Sequence, residues 1–317
     1  MVNAVITDKK RNLRDAYSSA LIELGYKNPD IVVLDADLAL STKTKRFGTV
    51  FPKRFFDMGI AEANMMGVAA GLAACGKIVF VSTFAVFATG RSYDAIRQSI
   101  AYPELNVKIV ATHAGISVGG DGASHQMLED IALMRVLPNM IVIAPADATE
   151  MEDVVPAIAE YDGPCYVRIG REDAPIIFET HGEFKIGKGY ILRDGNDVTI
   201  IATGTMTAEA LKAHDLLKND GIDARIVHMP TIKPLDENLV RKCARETNAI
   251  VTCEEHSIIG GLGDAVSIAI ANDPIKMYRI GVNDVFGESG GARQLMEKYG
   301  LTAENIAKQA KKLMNKI

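Results

Sequence analysis

Runs of strand length punctuate the first half of the chain: IVVLDAD at 31–37, KIVFVSTF at 77–84, VKIVATH at 107–113, MIVIAPAD at 140–147 and CYVRIG at 165–170. They are apolar almost throughout instead of alternating with polar residues, which is the pattern of strands buried on both faces of a parallel sheet. Between them the spacing turns helical. Leu13, Ala16, Tyr17, Ala20, Leu21 and Leu24 form one stripe with Gly25 as its stop, and further helices are predicted over 62–75, 90–101, 127–137 and 147–161. From Glu172 to Asn196 the periodicity lapses into a stretch rich in Gly, Asp and Pro, with one candidate strand at 189–193. Beyond it the strand-like runs DVTIIATG, IDARIVHMP, AIVTCEEH and MYRIGV are interleaved with helical patterns over 206–219, 236–247 and 263–272, and two more follow from Gly291. This alternation predicts an α/β protein of two doubly wound domains, residues 1–175 and a smaller one over 190–317.

Composition narrows the class. At 317 residues and 48% hydrophobic the chain is long enough for two cores. Net charge is −5 with both signs interspersed, and the basic cluster Lys308, Lys311, Lys312 and Lys316 sits on a terminal helical pattern. Nothing tracks a phosphate backbone, so nucleic acid is not an expected partner. No stretch reaches the roughly 18 uninterrupted apolar residues of a membrane span, and residues 1–30 hold no apolar leader core. No membrane association is expected, and the cytoplasm is the expected compartment. Cys75, Cys165, Cys243 and Cys253 show no C-x-x-C spacing, which disfavours disulfides and zinc and leaves buried thiols.

Candidate chemistry concentrates where strands end. FDMGIAEAN, 56–64, places Glu62 as the only ionisable group of an apolar helix running from Ala61 to Ala74, a helix expected to be packed on most of its sides. Glu62 is either a first-turn acid favouring the helix dipole or a proton-handling carboxylate in a desolvated setting. THAGISVGGDGASHQMLED, 112–130, carries His113, Ser117, Asp121 and His125 on a glycine-rich loop after a strand, the usual place for a site in an open α/β sheet. The histidines could shuttle protons or bond substrate hydroxyls; metal ligation is the weaker reading, because the gap between His113 and His125 is not a compact ligand spacing. Phe80, Phe84 and Phe87, with Arg91 and Tyr93 behind them, are core packing or a wall for a flat heteroaromatic ring. Arg168 and Arg171 close a strand, where an arginine is well placed for phosphate. Gly120-Asp121-Gly122 resembles the opening of a diphosphate–magnesium motif, but no Asn follows at 143–148. Gly260-Gly261-Leu262-Gly263 lacks dinucleotide spacing and reads as a helix-entry turn.

Taken together, Glu62, Phe84 and Phe87, and the His113, Asp121 and His125 loop resemble the pyrimidine-binding domain of transketolase, and the remainder is similar to that family's carboxy-terminal domain. The resemblance implies that the residue at Glu62 hydrogen-bonds the aminopyrimidine of thiamine diphosphate and favours its imino tautomer. It also implies that Phe84, Phe87 and Asp37 complete the cofactor pocket, with Gly90 where the family carries a third aromatic and Tyr93 available to compensate. Glu62, His113 and His125 are then the catalytic residues. His113, Asp121 and His125 face the hydroxyls of a ketose donor, and Arg14, Ser41 and Arg171 grip the sugar phosphate. The implied reaction transfers a two-carbon ketol unit from a ketose phosphate to an aldose phosphate.

The family's diphosphate-binding domain, with its magnesium motif, is missing. The chain therefore resembles the carboxy-terminal subunit of a split transketolase, inactive alone, whose amino-terminal partner holds magnesium and diphosphate in an assembly expected to be a heterotetramer. Two relatives compete: the β subunit of a 2-oxoacid dehydrogenase, in which the His-x₇-Asp-x₃-His arrangement is not expected, and deoxyxylulose phosphate synthase, in which an acidic–basic pair replaces Thr112-His113. Glu254, Glu255 and His256 sit at a strand end and look site-like, but the resemblance gives them no catalytic task, leaving interface or structural contacts.

Overall fold

The computed structural model describes residues 4–182 and 184–315; Lys316 of the basic cluster lies outside them. Fourteen strands occur among these residues: β1 (Lys10–Arg11), β2 (Ile31–Asp35), β3 (Phe55–Asp57), β4 (Ile78–Ser82), β5 (Val107–Ala111), β6 (Ile141–Ile143), β7 (Cys165–Arg168), β8 (Ala174–Pro175), β9 (Tyr190–Arg193), β10 (Val198–Ala202), β11 (Ala224–His228), β12 (Thr231–Lys233), β13 (Ala249–Ser257) and β14 (Lys276–Val282). The first sheet has the order β12-β6-β7-β5-β4-β2-β3 and the second β14-β13-β10-β11-β9. Both are parallel apart from one edge strand each, β12 and β9, which run antiparallel to their neighbours. The all-apolar runs of the sequence become these central strands, and helices cover both faces of both sheets as their lack of alternation requires.

On one face of the first sheet pack Leu13, Tyr17 and Leu21 of helix Leu13–Lys27 with Met151, Val154 and Ile158 of helix Ala148–Glu160. On the other pack Met65, Met66, Ala69 and Ala73 of helix Glu62–Ala74. The first helix does not stop at Gly25. It runs on to Lys27, and Gly25 is buried inside it because a Cβ there would lie 2.6 and 2.7 Å from the rings of Phe51 and Phe47. Helix Glu62–Ala74 is also less enclosed than its composition suggests: Ala63, Asn64, Gly67, Gly71 and Ala74 are exposed along it. Cys75, expected to be buried, is exposed at its end, whereas Cys165, Cys243 and Cys253 are buried as expected. The helix expected over 90–101 begins earlier and is uneven, with wide π-type turns at Val86–Arg91 and Arg97–Ala101 flanking one ordinary turn, Tyr93–Ile96. Such insertions widen a helix by a residue and redirect the side chains beyond it.

The two sheets are tied together. β12, although it follows β11 in the chain, pairs with β6 of the first sheet. His228 at the end of β11 bonds Glu150 of helix Ala148–Glu160 at 2.9 and 3.0 Å through Nε2 and Thr207 at 2.8 Å through Nδ1, all buried. At the end of β7 the buried Arg168 donates from Nε to Asp130 at 2.8 Å and from Nη2 to the Glu255 carbonyl of β13 at 2.7 Å. Tyr166 donates to the same Asp130 oxygen at 2.7 Å. Removing one partner of a buried pair strands the other charge. Asp130→Ala is expected to lower unfolding stability by about 3–5 kcal/mol, read from chemical denaturation; a loss under about 1 kcal/mol would show that Arg168 finds solvent or another anion.

Candidate active site

Five residues of interest lie just past the carboxyl ends of first-sheet strands: Asp37 after β2, Glu62 after β3, Phe84 after β4, His113 after β5 and Arg171 after β7. Parallel strands deliver all these ends to one edge, and the chain winds outward from β2 to β3 and then back across to β4, which opens a crevice there. The β4–β5 pairing continues beyond the strands: Thr112 N–H donates to the Thr83 carbonyl at 3.0 Å and Ala85 N–H to the Thr112 carbonyl at 2.7 Å. This brings the rings of Phe84 and His113 face to face, with centroids 3.7 Å apart.

Glu62 opens its helix with a carboxylate only 3% exposed. Arg91 Nη1 donates to its two oxygens at 2.8 and 3.0 Å. The guanidinium of Arg91 also lies 4.6 Å over the Phe87 ring, so a planar, donor-bearing group is stacked on an aromatic face while hydrogen-bonded to Glu62. Phe84 and Phe87 are nearly parallel, 12° apart with centroids at 5.9 Å, and His125 meets Phe87 edge-on at 5.5 Å. Gly90 is exposed and a Cβ there would meet nothing within 4 Å. Tyr93 packs against the core instead of standing in for a third ring; the group that covers Phe87 is Arg91. Its role was not legible beforehand, because the π-type turn that aims it leaves no mark in apolar spacing.

A second, cationic group adjoins. Arg14 donates from Nη1 to the Ser41 carbonyl at 3.1 Å, from Nη2 to the Arg171 carbonyl at 2.8 Å and from Nε to Asn12 at 3.0 Å. These acceptors are neutral, and among the described residues no carboxylate forms an ion pair with Arg14. Arg171 donates to the Val118 carbonyl at 2.8 Å and lies 3.4 Å from Asp121. Arg14 and Arg171 line a cleft of about 410 Å³ with Lys10, Asn12, Glu172 and Asp173. A half-buried guanidinium that feels Asp15, Glu172 and Asp173 only at a distance suits an anionic group on a ligand.

His113 joins the two groups. It is 4% exposed, takes the left-handed φ of +57°, uncommon and costly for a side chain of its size, and bonds Thr112 Oγ1 at 2.8 Å through Nδ1. Burial, then the nearby positive charges of Arg14 and Arg171 and the His125 ring, lower its pKa from 6.5 to about 3. His125 bonds Ser124 through Nδ1 at 2.9 Å. Of the residues singled out from the sequence, Glu62, Phe84, Phe87, His113 and His125 form one contiguous cluster, and Arg14, Ser41, Asp121 and Arg171 a second. Asp37 stands apart: its side chain is exposed, its φ is +62°, and its N–H donates to Asp57 at 3.0 Å. Glu254, which looked site-like, accepts the Leu262 and Gly263 N–H groups at 2.7 and 2.8 Å and so caps helix Leu262–Ala269, with Gly260–Gly263 as the entry turn.

Two family descriptions match the chain in tandem, the transketolase pyrimidine binding domain over residues 9–176 and the transketolase C-terminal domain over 187–306. The chain belongs to the transketolase family. The putative transketolase C-terminal section of Methanocaldococcus jannaschii is 56% identical over 310 residues, 96% of this chain and 97% of that one. The 6-deoxy-6-sulfo-D-fructose transketolase subunit SqwH of a Clostridium species is 46% identical over 299 residues, 94% of this chain and 93% of that one. A solved structure described as a split gene transketolase, inactive beta4 tetramer, is 55% identical with a TM-score of 0.90, covering 96% of this chain and 98% of that one. The resemblance to the carboxy-terminal subunit of a split transketolase therefore holds along nearly the whole length. The transketolase family implies thiamine diphosphate and a metal ion.

Because the folded chain resists protonating His113, this residue lowers stability in acid. Below about 6.5 the unfolded chain takes up a proton that the native imidazole accepts only near 3. Imidazole NMR should show His113 neutral and untitrated from pH 8 to 5, and His113→Gln should flatten the loss of stability between pH 6.5 and 3. A midpoint near 6.5 would contradict the enclosed, cation-flanked site.

Proposed function

We propose that this chain is the carboxy-terminal subunit of a two-chain transketolase and contributes the pyrimidine pocket and sugar-binding wall for ketol transfer from a ketose phosphate to an aldose phosphate. The observation that carries this reading is the adjacency, through His113, of an aromatic pocket ending in the enclosed Glu62 and a cleft ending in the unpaired Arg14. The pocket residues fit a flat heteroaromatic ring: Arg91 already shows that a planar donor can lie on Phe87 and reach Glu62 at once. Glu62, Phe84 and Phe87 would hold the aminopyrimidine of thiamine diphosphate, with Asp37 at the rim. When bound with magnesium, the cofactor supplies the electron sink for breaking and making the carbon–carbon bond.

The chain's own side chains do the rest. Glu62 would hold and exchange a proton at its carboxylate facing the pyrimidine ring, which requires Arg91 to release at least one carboxylate oxygen. His113, held neutral, offers both a donor and an acceptor to substrate hydroxyls, and His125 and Asp121 complete that wall. Arg14 and Arg171, with Ser41, take the terminal anion of the sugar. Together the pocket and cleft keep the donor oriented against the cofactor while the aromatic rings exclude water.

The reading also assigns an amino-terminal partner subunit carrying the magnesium and diphosphate ligands, in a heterotetramer with at least two copies of each chain. It is supported by the Gly- and Ala-lined exposed side of helix Glu62–Ala74, an apolar helix of the kind that is normally covered. No helix among the described residues is long and apolar enough to cross a membrane, and the cytoplasm is the proposed compartment.

The deciding assay measures ketol transfer between pentose phosphates, with thiamine diphosphate and magnesium, for this chain alone and mixed with an amino-terminal transketolase subunit. Activity is expected only in the mixture; cofactor binding by the mixture without transfer would point to another thiamine reaction. In the active mixture Glu62→Gln should lower kcat by about 10²-fold or more while the far-ultraviolet spectrum and unfolding midpoint stay close to wild type. Wild-type turnover in that variant would remove Glu62 from the mechanism.

A further inference from the structure

The carboxy-terminal domain has no side chain in either cluster, yet it grips the loop that carries His113, Asp121 and His125. Glu255, on β13, is 3% exposed and uses both carboxylate oxygens: Oε1 accepts the Ser117 N–H across the domain boundary at 2.7 Å, and Oε2 accepts the hydroxyl of Thr205 in its own domain at 2.9 Å. Its own carbonyl accepts Arg168 Nη2 at 2.7 Å. Gly115 allows this approach, since its φ is +89° and a Cβ there would lie 2.2 Å from Glu255 Oε1. Further along, Gln126 Nε2 donates to the loop carbonyls of Ile116 and Gly119 at 3.2 Å and to the Glu288 carbonyl of the second domain at 2.9 Å. The Ser257 N–H donates to the Leu128 carbonyl at 2.8 Å.

These contacts fall between the site residues on the loop, at Ser117, and just beyond the last of them, at Gln126 and Leu128. Ser117 lies midway from His113 to Asp121, and Val118, next to it, is the residue whose carbonyl Arg171 holds. A charged acceptor on a single backbone N–H fixes the loop's position more firmly than a neutral one and leaves a buried donor unsatisfied if it is lost. We infer that Glu255 is a positioning residue for ketose recognition: through the Ser117 N–H it sets the register of the substrate loop, so that the second domain tunes sugar use without touching the sugar. The inference deepens the transketolase reading and rests on it for its kinetic consequence, but not for its structural one.

The test uses the full chain, first alone and then in the active mixture. Hydrogen exchange of residues 115–122 is measured in wild type, Glu255→Gln, Glu255→Ala and Thr205→Val. Glu255→Ala should speed exchange at Ser117 by about tenfold or more, with helices far from the loop unchanged. Glu255→Gln, which keeps one acceptor oxygen, and Thr205→Val, which frees the carboxylate's second oxygen, should show smaller effects and serve if the alanine variant does not fold. In the mixture the KM for the ketose donor should rise about tenfold in Glu255→Ala while thiamine diphosphate affinity stays within about twofold, with partial rescue in Glu255→Gln. Unchanged exchange at 115–122 in the folded variants, or cofactor affinity falling as far as donor KM rises, would overturn the inference. Absence of ketol transfer in the wild-type mixture overturns the functional reading instead, and the exchange data then decide the brace by themselves.

Discussion

The structure turns on a charge that cannot be left alone. Arg168 is 8% exposed at the end of β7, and its guanidinium is divided between Asp130, which opens helix Asp130–Val136, and the Glu255 carbonyl of the second domain. A buried guanidinium tolerates few geometries, because each unpaired N–H costs desolvation that nothing returns. The sheet, the far end of the site loop and β13 must therefore meet where they do. Burial lowers the Arg168 pKa, but the charges of Asp130, Glu255 and Tyr166 and the hydrogen bond to Asp130 more than offset it and raise it, so the guanidinium stays charged.

From that anchor the site is assembled by backbone and not by long side chains. The parallel strands bring Glu62, Phe84 and His113 to one edge, and the loop that begins at His113 is returned to the sheet by the Ala114–Met127 pairing and by Asp130. Strain gathers at the same edge: His113 and Asp37 both hold left-handed backbone angles. An imidazole kept neutral by burial and by neighbouring arginines, against an aromatic ring at 3.7 Å, has little freedom left. It can serve as a fixed hydrogen-bonding group whose state does not vary with ordinary pH.

Much of this was legible in the sequence. Continuous apolar runs specify buried parallel strands, and such strands put their loops at one edge, so Glu62 and the 112–130 loop could be placed near each other without coordinates. Three features were not legible, each for a physical reason. A π-type turn does not alter which positions are apolar, so the swing of Arg91 onto Phe87 was hidden. Strand β12 is a three-residue edge strand, Thr231–Lys233, too short for its pattern to show that it pairs across the domain boundary with β6. Gly25 carries the composition of a helix stop, but whether a glycine ends a helix or admits a neighbouring ring depends on what packs against it, here Phe47 and Phe51.

The triplet Glu254-Glu255-His256 shows how acidic residues at a strand end divide their tasks. Successive side chains on a strand point to opposite sides, and here the alternation sends the carboxylates to different partners. Glu254 serves its own domain by capping helix Leu262–Ala269, and Glu255 reaches the other domain at Ser117 while its second oxygen takes the hydroxyl of Thr205 in its own. His256 bonds the Ser257 carbonyl at 2.7 Å and lies 3.7 Å from Glu254. None of the three touches the aromatic pocket or the cationic cleft. The two carboxylates are spent on N–H and O–H donors, where a carboxylate gives the strongest acceptor a side chain can offer, and the loop that Glu255 holds at Ser117 is the one that carries His113, Asp121 and His125.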